Sequence, residues 1–404
     1  MRIQFPSSFL WGAALSSYQT EGNIFNTDWS LWEQEKKLEQ AGRACDHYHL
    51  FKEDFNLASQ LHLNCLRISL EWARICPGPG VYQEEELAHY REVIDTLKAL
   101  GLKPIITLHH FTNPLWFSQR GGWENSENVD FFLAYLKKTA GCFKKDITYW
   151  LILNEPLVYI YNSFVAGIWP PGIRSLKTAK KVLNNLLSAY ITGYQEIKHI
   201  YRQEGLTAQV SFVKHMRIFS PCPSFSFGLN NLSACVRHYL FNTQFLDKVI
   251  RGRYLDFIAI NYYCKEYVAF KGLAGVECTH NSHSEKKNAL GWYTYACGLY
   301  KILVAMKRFK LPIIIMENGT AEVSDISYRQ FLLSHLEALG RALQEGVDVR
   351  GYLWWSLIDN FEWDKGFGPR FGLISVDYKN LARNVKPFAH TYAGICKENA
   401  IDVL

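Results

Sequence analysis

Two glutamates at the ends of short apolar runs are the residues best placed to do chemistry. Glu155 ends the run 148–155, and Glu317 ends the run 312–317. Two carboxyl groups held at a fixed separation can cleave a glycosidic bond, because one protonates the leaving oxygen while the other attacks the sugar or activates water. The pair therefore predicts glycosidase chemistry.

Eight short runs rich in β-branched or aromatic residues recur along the 404 residues, with helical periodicity in most of the intervals. This alternation predicts an α/β fold, a single (β/α)8 TIM barrel over residues 1–404. A doubly wound sheet is the alternative, but no G-x-G-x-x-G or G-x-x-x-x-G-K-[ST] motif follows a predicted strand. The predicted strands are 9–16, 63–72, 103–110, 148–155, 208–216, 255–263, 312–317 and 349–357, and the predicted helices are 87–100, 129–143, 177–203, 295–309 and 327–344.

The barrel must position the two glutamates on one face, because the carboxyl ends of its strands converge there to form the active site. A single polar residue at such a position is weak evidence, since a histidine at a strand end is more often structural. Here polar residues follow several runs in the same phase, which indicates one polar site. These segments are 17–22, His109-His110, Asn154-Glu155, 261–263, Glu317-Asn318 and 359–363.

Composition excludes several classes of function. The net charge of +6 arises from 44 basic and 38 acidic residues without a basic stripe, so we expect no nucleic-acid partner. No secretory signal and no apolar run of about 18 residues is visible, which predicts a cytoplasmic protein with no membrane association. The ten cysteines contain no C-x-x-C pair and are predicted to be buried free thiols. No H-E-x-x-H spacing occurs, so neither a metal nor another cofactor is expected.

The chain resembles glycoside hydrolase family 1, the β-glucosidase or β-glycosidase family, over roughly residues 5 to 395. The segments that carry this resemblance are Phe9-Leu10-Trp11-Gly12, Tyr18-Gln19-Thr20-Glu21-Gly22, Leu153-Asn154-Glu155-Pro156, Glu317-Asn318-Gly319, 354–357, 359–363 and Arg370-Phe371-Gly372-Leu373. The resemblance implies a retaining hydrolysis of terminal β-D-glycosyl residues through a covalent glycosyl-enzyme. Glu317 would be the nucleophile, and Glu155 would be the acid and then the base.

The same resemblance assigns the groups around the two carboxyls. Arg67 and Tyr263 would keep Glu317 ionised, and Asn261 is a further catalytic candidate. The negative charge of Glu317 would keep Glu155 protonated, so the pKa of Glu155 is predicted to lie above that of Glu317. A retaining enzyme holds its two carboxyl groups about 5–5.5 Å apart.

The substrate-binding candidates also come from the resemblance. Trp355 would stack on the sugar, Trp292 would lie on the aglycone side, and Phe371 belongs to the C-terminal motif. A carboxylate at Glu362 would repel a 6-phosphate, which favours a neutral glucoside or galactoside. The residues that would hydrogen-bond sugar hydroxyls are Gln19, His110, Asn154, Glu362 and Trp363.

Departures from the family pattern limit these expectations. Position 157 is leucine where many members have tryptophan, and the segments after Tyr254 and Asn318 are short, which predicts a more open cleft. The expected substrates are small β-glucosides or β-linked oligosaccharides. A transglycosylase on the same site and a non-catalytic sugar-binding relative are the alternatives. The preferred glycone, the natural aglycone and the oligomeric state are left open by the sequence.

Overall fold

The computed structural model describes residues 2–224, 226–278 and 285–402. Eight strands in this part of the chain pair in parallel and close into a barrel, in which neighbours follow chain order and β8 pairs with β1. The (β/α)8 prediction is therefore confirmed. The strands are β1 Leu10–Ala14, β2 Cys65–Ser69, β3 Lys103–His109, β4 Tyr149–Asn154, β5 Gln209–Pro221, β6 Ile258–Ala269, β7 Ile313–Asn318 and β8 Val349–Trp355.

Helices surround the barrel, and the five predicted helices are all present. They are Glu84–Ala99, Val129–Phe143, Leu176–Arg202, Ala296–Met306 and Asp325–Gln344. The α-helices are α1 Ser17–Thr20, α2 Asp28–Lys36, α3 His47–Gln60, α4 Trp72–Ile75, α5 Glu84–Ala99, α6 Leu115–Gln119, α7 Val129–Phe143, α8 Pro156–Ile160, α9 Leu176–Arg202, α10 Leu229–His238, α11 Gln244–Arg251, α12 Ala296–Met306, α13 Asp325–Gln344 and α14 Pro387–Glu398. Short 3₁₀ turns occur at Gly122–Glu124, Ser126–Asn128, Lys307–Phe309 and Trp363–Lys365, and π-helical turns at Tyr161–Val165 and Tyr239–Thr243.

Strand alternation divides the core into an inner and an outer layer. Side chains at successive positions of a strand point to opposite faces. On β2, Leu66 and Ile68 pack in the large cluster shared with the helices, whereas Cys65 belongs to a separate cluster inside the barrel. Arg67 lies in phase with Cys65 and is completely buried. The sequence of β2 therefore places a guanidinium inside the barrel.

Strands β5 and β6 continue beyond the runs that predict them. Past the barrel, residues 218–221 of β5 pair with residues 265–268 of β6. The strand Val276–Glu277 then pairs antiparallel with the end of β6. Polar residues such as Arg217, Lys265 and Glu266 interrupt the apolar run, so the extension depends on backbone pairing that periodicity does not reveal.

The prediction that all ten cysteines are buried free thiols is wrong. Cys222 and Cys278 form a disulfide, and Cys235 is exposed. The N–H of Cys222 donates to Val268 O, and that of Cys278 donates to Tyr267 O. The extended end of β6 thus brings together two cysteines 56 residues apart, which cysteine spacing alone could not indicate.

The two termini meet in a small sheet outside the barrel. Arg2–Gln4 pairs antiparallel with Ala400–Asp402, and a second two-stranded sheet joins Ile374–Val376 to Arg383–Val385. None of the helices in the described part of the chain combines the length and the hydropathy needed to cross a membrane. The single-domain prediction includes residues 1, 225, 279–284 and 403–404, which lie outside the described residues, and it stays a prediction.

Candidate active site

The two predicted carboxyl groups line one cavity of about 210 Å³ at the carboxyl ends of the strands. Glu317 lies on β7 opposite Asn261 of β6. Glu155 directly follows β4 and caps α8, where its backbone N–H donates to Val213 O at 2.9 Å. Its φ of 43° lies in the left-handed region, which is unfavourable for a residue with a Cβ atom. Such local strain is common at functional sites.

A buried arginine and a tyrosine hold both oxygens of Glu317. Arg67 Nη1 donates to Glu317 Oε1, and the Tyr263 hydroxyl donates to Oε2. The same guanidinium donates from Nε to Thr107 Oγ1 at 3.0 Å and from Nη2 to Asn154 Oδ1 at 2.8 Å. Acceptors on several strands therefore fix Arg67, and Arg67 and Tyr263 lie where the sequence places them. Burial raises the pKa of Glu317 to about 7, although the Arg67 charge opposes this rise.

Glu155 has two different neighbours, both on its Oε1 atom. Asn261 Nδ2 donates to Oε1 at 2.7 Å, and His215 Nδ1 lies 3.0 Å from the same oxygen. Arg217 Nε donates to His215 Nε2 at 3.2 Å, so Nε2 is the acceptor and the imidazole proton is on Nδ1. His215 therefore donates to Glu155, whose Oε1 accepts two hydrogen bonds while Oε2 stays available for a proton.

The surroundings of the two glutamates shift their pKa values in opposite directions. Burial raises the pKa of Glu155, but His215 and Asn261 together hold it below the ordinary value of a glutamate. For Glu317, by contrast, burial outweighs the Arg67 charge and the Tyr263 hydrogen bond. The sequence-based expectation considered only the mutual repulsion of the carboxyls and the partners of Glu317. It lacked His215, the group that stabilises the charge on Glu155.

The predicted glycone residues are linked to one another by hydrogen bonds and ring contacts. Gln19 Nε2 donates to Phe361 O at 2.7 Å and to Glu362 Oε2 at 3.3 Å, which ties α1 to the segment after β8. The His110 ring lies within 26° of parallel to two tryptophan rings, with its centroid 6.0 Å from that of Trp355 and 6.3 Å from that of Trp363. Burial raises the pKa of Glu362 to about 8, and the Glu317 charge adds to the rise. Glu362 is therefore largely a neutral acid at pH 7.

Asn154 lies between His110 and Arg67, the residue that holds Glu317. Its Oδ1 accepts from Arg67, so its Nδ2 faces His110 Nε2, 3.0 Å away. Only one of the two Nδ2 hydrogens is used in this bond, and the second can meet a sugar hydroxyl. The structure thus places Asn154 beside both catalytic candidates, as its position next to Glu155 implies.

All thirteen predicted site residues lie in or against this cavity. Trp292 and Phe371 pack on the Tyr263 ring, at centroid distances of 5.9 Å and 6.2 Å. Arg67 and Asn261 lie behind the wall, where they contact the two glutamates. The other predicted residues line the cavity directly: Gln19, His110, Asn154, Glu155, Tyr263, Trp292, Glu317, Trp355, Glu362, Trp363 and Phe371.

Sequence reasoning missed His215, Arg217 and Trp169, which also line the cavity. His215 lies one residue before the end of the predicted strand 208–216. Polar residues at the carboxyl ends of barrel strands belong to the active site, so the argument that found Glu155 would also have found His215. Arg217 follows the predicted end of that strand. Trp169 lies in an irregular segment after α8, where no periodicity points to the site.

The chain is similar to known proteins over nearly its whole length. The family model described as "Glycosyl hydrolase family 1" matches residues 1–256 and 254–401. "Beta-glucosidase A" of Thermotoga maritima is 30% identical over 99% of both chains. The solved β-glycosidase of Pyrococcus horikoshii superposes with a TM-score of 0.92 at 36% identity, covering 100% of this chain and 97% of the other. The Thermotoga maritima β-glucosidase in complex with glucoimidazole gives a TM-score of 0.92 at 29% identity, covering 99% and 100%.

Proposed function

The chain belongs to glycosyl hydrolase family 1 and is an O-glycosyl hydrolase of the β-glucosidase type, and we propose that it removes terminal non-reducing β-D-glycosyl residues by a retaining double displacement. One observation carries the proposal. Glu155 and Glu317 line the same cavity, but their partners differ, since Glu317 contacts a guanidinium and a phenol while Glu155 contacts an imidazole and an amide. Different surroundings give two carboxyl groups different roles.

Glu317 is the proposed nucleophile. Both of its oxygens accept hydrogen bonds from buried donors, so the carboxylate is held in one orientation toward the anomeric carbon. Arg67 balances the negative charge of the attacking carboxylate. Its guanidinium is held in one position, because Thr107 and Asn154 accept hydrogen bonds from its other nitrogens. Formation of the glycosyl-enzyme neutralises Glu317, which removes its repulsion of Glu155.

Glu155 is the proposed acid and base. Its Oε1 is occupied by Asn261 and His215, so the proton for the leaving oxygen is carried on Oε2. The two buried carboxyls share protons, and their apparent pKa values belong to the pair. A leaving oxygen beside Oε2 accepts a hydrogen bond only from protonated Glu155, so bound substrate moves the shared proton onto Glu155. After the first step, the ionised Glu155 takes a proton from water, and the product retains the β configuration.

We propose a neutral glycone, with glucosides first and galactosides or fucosides as further substrates. The cavity presents amide, imidazole and carboxyl groups beside the flat face of Trp355, a combination suited to a hydroxylated ring. Because Glu362 is largely protonated at pH 7, its repulsion of a 6-phosphate is weaker than the sequence suggested. The proposed preference for neutral sugars therefore rests on the uncharged hydrogen-bonding groups of the cavity.

The decisive experiment compares p-nitrophenyl β-glucoside, β-galactoside, β-fucoside and β-mannoside as substrates. Glu317→Ala should lose at least about 10⁴-fold in kcat, because the covalent route is lost. Glu155→Ala should lose about 10²–10⁴-fold in kcat. Its KM should fall as well, because p-nitrophenolate leaves without an acid while the glycosyl-enzyme then accumulates. Glu337→Ala, at an exposed glutamate of α13, is the matched control and should keep wild-type activity.

Stereochemistry tests the retaining mechanism separately. Proton NMR of the first product formed from an aryl β-glucoside should show the β anomer before mutarotation. Azide should restore turnover in Glu155→Ala and yield the β-glycosyl azide, since the anion needs no base. An α product as the first anomer, or full activity of Glu317→Ala, would contradict the proposal. The cytoplasmic location and the small β-glucoside substrates stay predictions.

A further inference from the structure

His215 has one ring nitrogen that could take the proton needed for catalysis. Its Nδ1 carries a hydrogen and lies 3.0 Å from Glu155 Oε1, so the basic lone pair of the ring is on Nε2. In the proposed function, Glu155 must keep a proton on Oε2 until the leaving oxygen accepts it. If that proton moved to His215, the imidazole would become a cation and Glu155 would be ionised. Glu155 would then have no proton to give to the leaving oxygen.

The burial of both groups makes this proton transfer a strong competitor of catalysis. Glu155 is 6% exposed and His215 is 5% exposed. An imidazolium and a carboxylate attract each other strongly where water is scarce. A histidine with an unoccupied Nε2 would therefore compete with Glu155 for its proton. The acid needs a neighbour that donates a hydrogen bond and does not accept a proton.

Arg217 occupies the nitrogen at which His215 would be protonated. Arg217 Nε donates to His215 Nε2 at 3.2 Å, and a guanidinium keeps its charge at any pH at which the protein is folded. The hydrogen bond uses the lone pair of Nε2, and the positive charge of Arg217 disfavours a second positive charge on the ring. Protonation of His215 would break this hydrogen bond and place two cations side by side.

A carboxylate and an amide hold Arg217 in this position. Arg217 Nη1 donates to Glu266 Oε2 at 3.0 Å. Asn242 contacts the backbone of Arg217, where its Oδ1 accepts from the N–H at 3.1 Å and its Nδ2 donates to the carbonyl at 2.7 Å. Arg237 Nη1 lies 3.0 Å from the other oxygen of Glu266. Two arginines share one carboxylate, so this cluster keeps a net positive charge beside His215.

The other charged and titratable groups around His215 lie on β5 and β6 and at the start of α8. Lys214 Nζ donates to the backbone carbonyl of His215, and the Tyr263 ring has its centroid 5.6 Å from that of His215. Burial lowers the pKa of His215, and the charges of Arg217 and Lys214 add to this effect, which ionised Glu155 opposes. Of these cations, Arg217 is the one that donates to the ring nitrogen itself.

We propose that Arg217 is a positioning residue that keeps His215 uncharged, so that the proton for the leaving oxygen stays on Glu155. This inference rests on the proposed function. In the first step, the hydrogen on Glu155 Oε2 passes to the leaving oxygen. The bond from that oxygen to the anomeric carbon breaks, and Glu317 forms a bond to the same carbon. His215 keeps its Nδ1 hydrogen throughout and exchanges no proton.

Leaving groups of different basicity test the proposal. Phenyl β-D-glucoside needs acid assistance because phenolate is a poor leaving group, whereas 2,4-dinitrophenolate leaves without a proton. Arg217→Met should lower kcat/KM for the phenyl substrate at least about tenfold, part of the ~10²–10⁴-fold that general acid catalysis contributes. The value for the dinitrophenyl substrate should stay that of wild type. Arg251→Met, at an exposed arginine of α11, is the matched control and should keep both values.

The same substitution in a His215→Asn background isolates the route through the imidazole. Asparagine keeps a donor for Glu155 but has no basic nitrogen, so Arg217→Met should leave the ratio of the two kcat/KM values unchanged there. An equal loss of activity on the phenyl substrate in both backgrounds would overturn the proposal, since Arg217 would then act without His215. Equal losses on both substrates, or no loss on either, would overturn it too.

NMR of the ligand-free protein examines His215 without using activity. Labelling histidine with ¹⁵N reports the charge and tautomer of each ring at about pH 6.5, the ordinary pKa of histidine, and His215→Asn assigns the signals. Wild type should show a neutral ring with its hydrogen on Nδ1, and Arg217→Met a ring protonated on Nε2. A protonated Nε2 in wild type overturns the proposal even if Arg217→Met does not fold, and so does an unchanged ring in folded Arg217→Met. Failure of wild type to hydrolyse either glucoside overturns the proposed function, and NMR then still decides on Arg217.

Discussion

At the scale of single residues, His215 is the side chain that distinguishes the two glutamates. It donates to Glu155 because Arg217 occupies its other nitrogen. Both glutamates could be predicted from the sequence, since each ends an apolar run, and Arg67 and Tyr263 follow from the family motifs. The effect of His215 on the pKa of Glu155 could not be predicted, because it depends on a contact that becomes visible only when Glu155 and His215 are placed in space.

We predict that His215→Leu shifts the pH dependence of kcat/KM upward on its alkaline side. The leucine removes the donor that lowers the pKa of Glu155 and keeps the burial that raises it, so Glu155 holds its proton to higher pH. The alkaline limb of the profile reports loss of the last proton from the Glu155–Glu317 pair, and that limb should move to higher pH. The measurement is kcat/KM for an aryl β-glucoside from pH 4 to pH 10.

His215→Asn is the matched control for this shift. Its amide can replace the Nδ1 donor without adding a group that titrates, so its profile should stay closer to wild type. The Lys214 charge also acts on Glu155, and burial lowers the pKa of Lys214 to about 7, but Lys214 is unchanged in both variants. The difference between the leucine and asparagine profiles therefore isolates the hydrogen bond to Glu155. Identical alkaline limbs in wild type and His215→Leu would refute this role.

At the scale of elements, the position of the eight strands followed from apolar runs, whereas their length did not. The prediction found every barrel strand because each strand buries side chains on both faces, which produces a continuous apolar run. The ends of β5 and β6 carry Arg217, Lys265 and Glu266, so the apolar run stops while the backbone pairing continues. The disulfide depends on these extensions, so it could not be predicted from hydrophobic pattern or cysteine spacing.

We predict that Gly319→Ala disables the site by separating β7 from β8. A Cβ atom at position 319 would lie 2.1 Å from Trp355 O. This oxygen belongs to the backbone, so no side-chain rotation can relieve the clash. The strands must then shift, and the shift displaces Glu317 and Trp355 together. A displacement of about 1 Å at a reacting group can cost about 10²-fold in rate, which we expect in kcat/KM. Circular dichroism and thermal unfolding show how much of the loss is due to unfolding.

Gly141→Ala is the matched control for the β7–β8 contact. Gly141 lies in α7, and a Cβ atom there would meet nothing within 4 Å. Alanine is the better helix former by up to about 1 kcal/mol, so this variant should be at least as stable as wild type and equally active. Equal activity of Gly319→Ala and Gly141→Ala would mean that β7 and β8 can adjust without moving the catalytic groups.

At the scale of the whole molecule, the two ends of the barrel have different functions. The active-site cavity and the predicted site residues that line it lie toward the carboxyl ends of the strands. The opposite end is closed by the two termini, which pair as Arg2–Gln4 with Ala400–Asp402. Residues at that end of a barrel serve stability rather than catalysis. Changes there should therefore alter unfolding and leave the chemistry intact.

Asn399 is the residue that joins the two termini to the barrel. Its Oδ1 accepts from Trp11 Nε1 at 2.8 Å, and its Nδ2 donates to Phe5 O at 2.9 Å and Pro6 O at 3.0 Å. Its φ of 52° ends α14 in the left-handed region, where asparagine is tolerated better than alanine. We predict that Asn399→Gly loses about 1–3 kcal/mol of stability, because only the side-chain hydrogen bonds disappear.

Asn399→Ala should lose about 1–2 kcal/mol more than Asn399→Gly, since the Cβ atom adds backbone strain at this φ. Thermal unfolding should therefore rank wild type above Asn399→Gly and Asn399→Ala lowest, while kcat/KM at 25 °C stays the same in all three. Asn56→Ala, at an exposed asparagine of α3, controls for loss of an amide and should unfold like wild type. An alanine variant as stable as the glycine variant would contradict the strain at position 399. A fall in kcat/KM of the folded variants would instead show that the closed end of the barrel positions the catalytic groups.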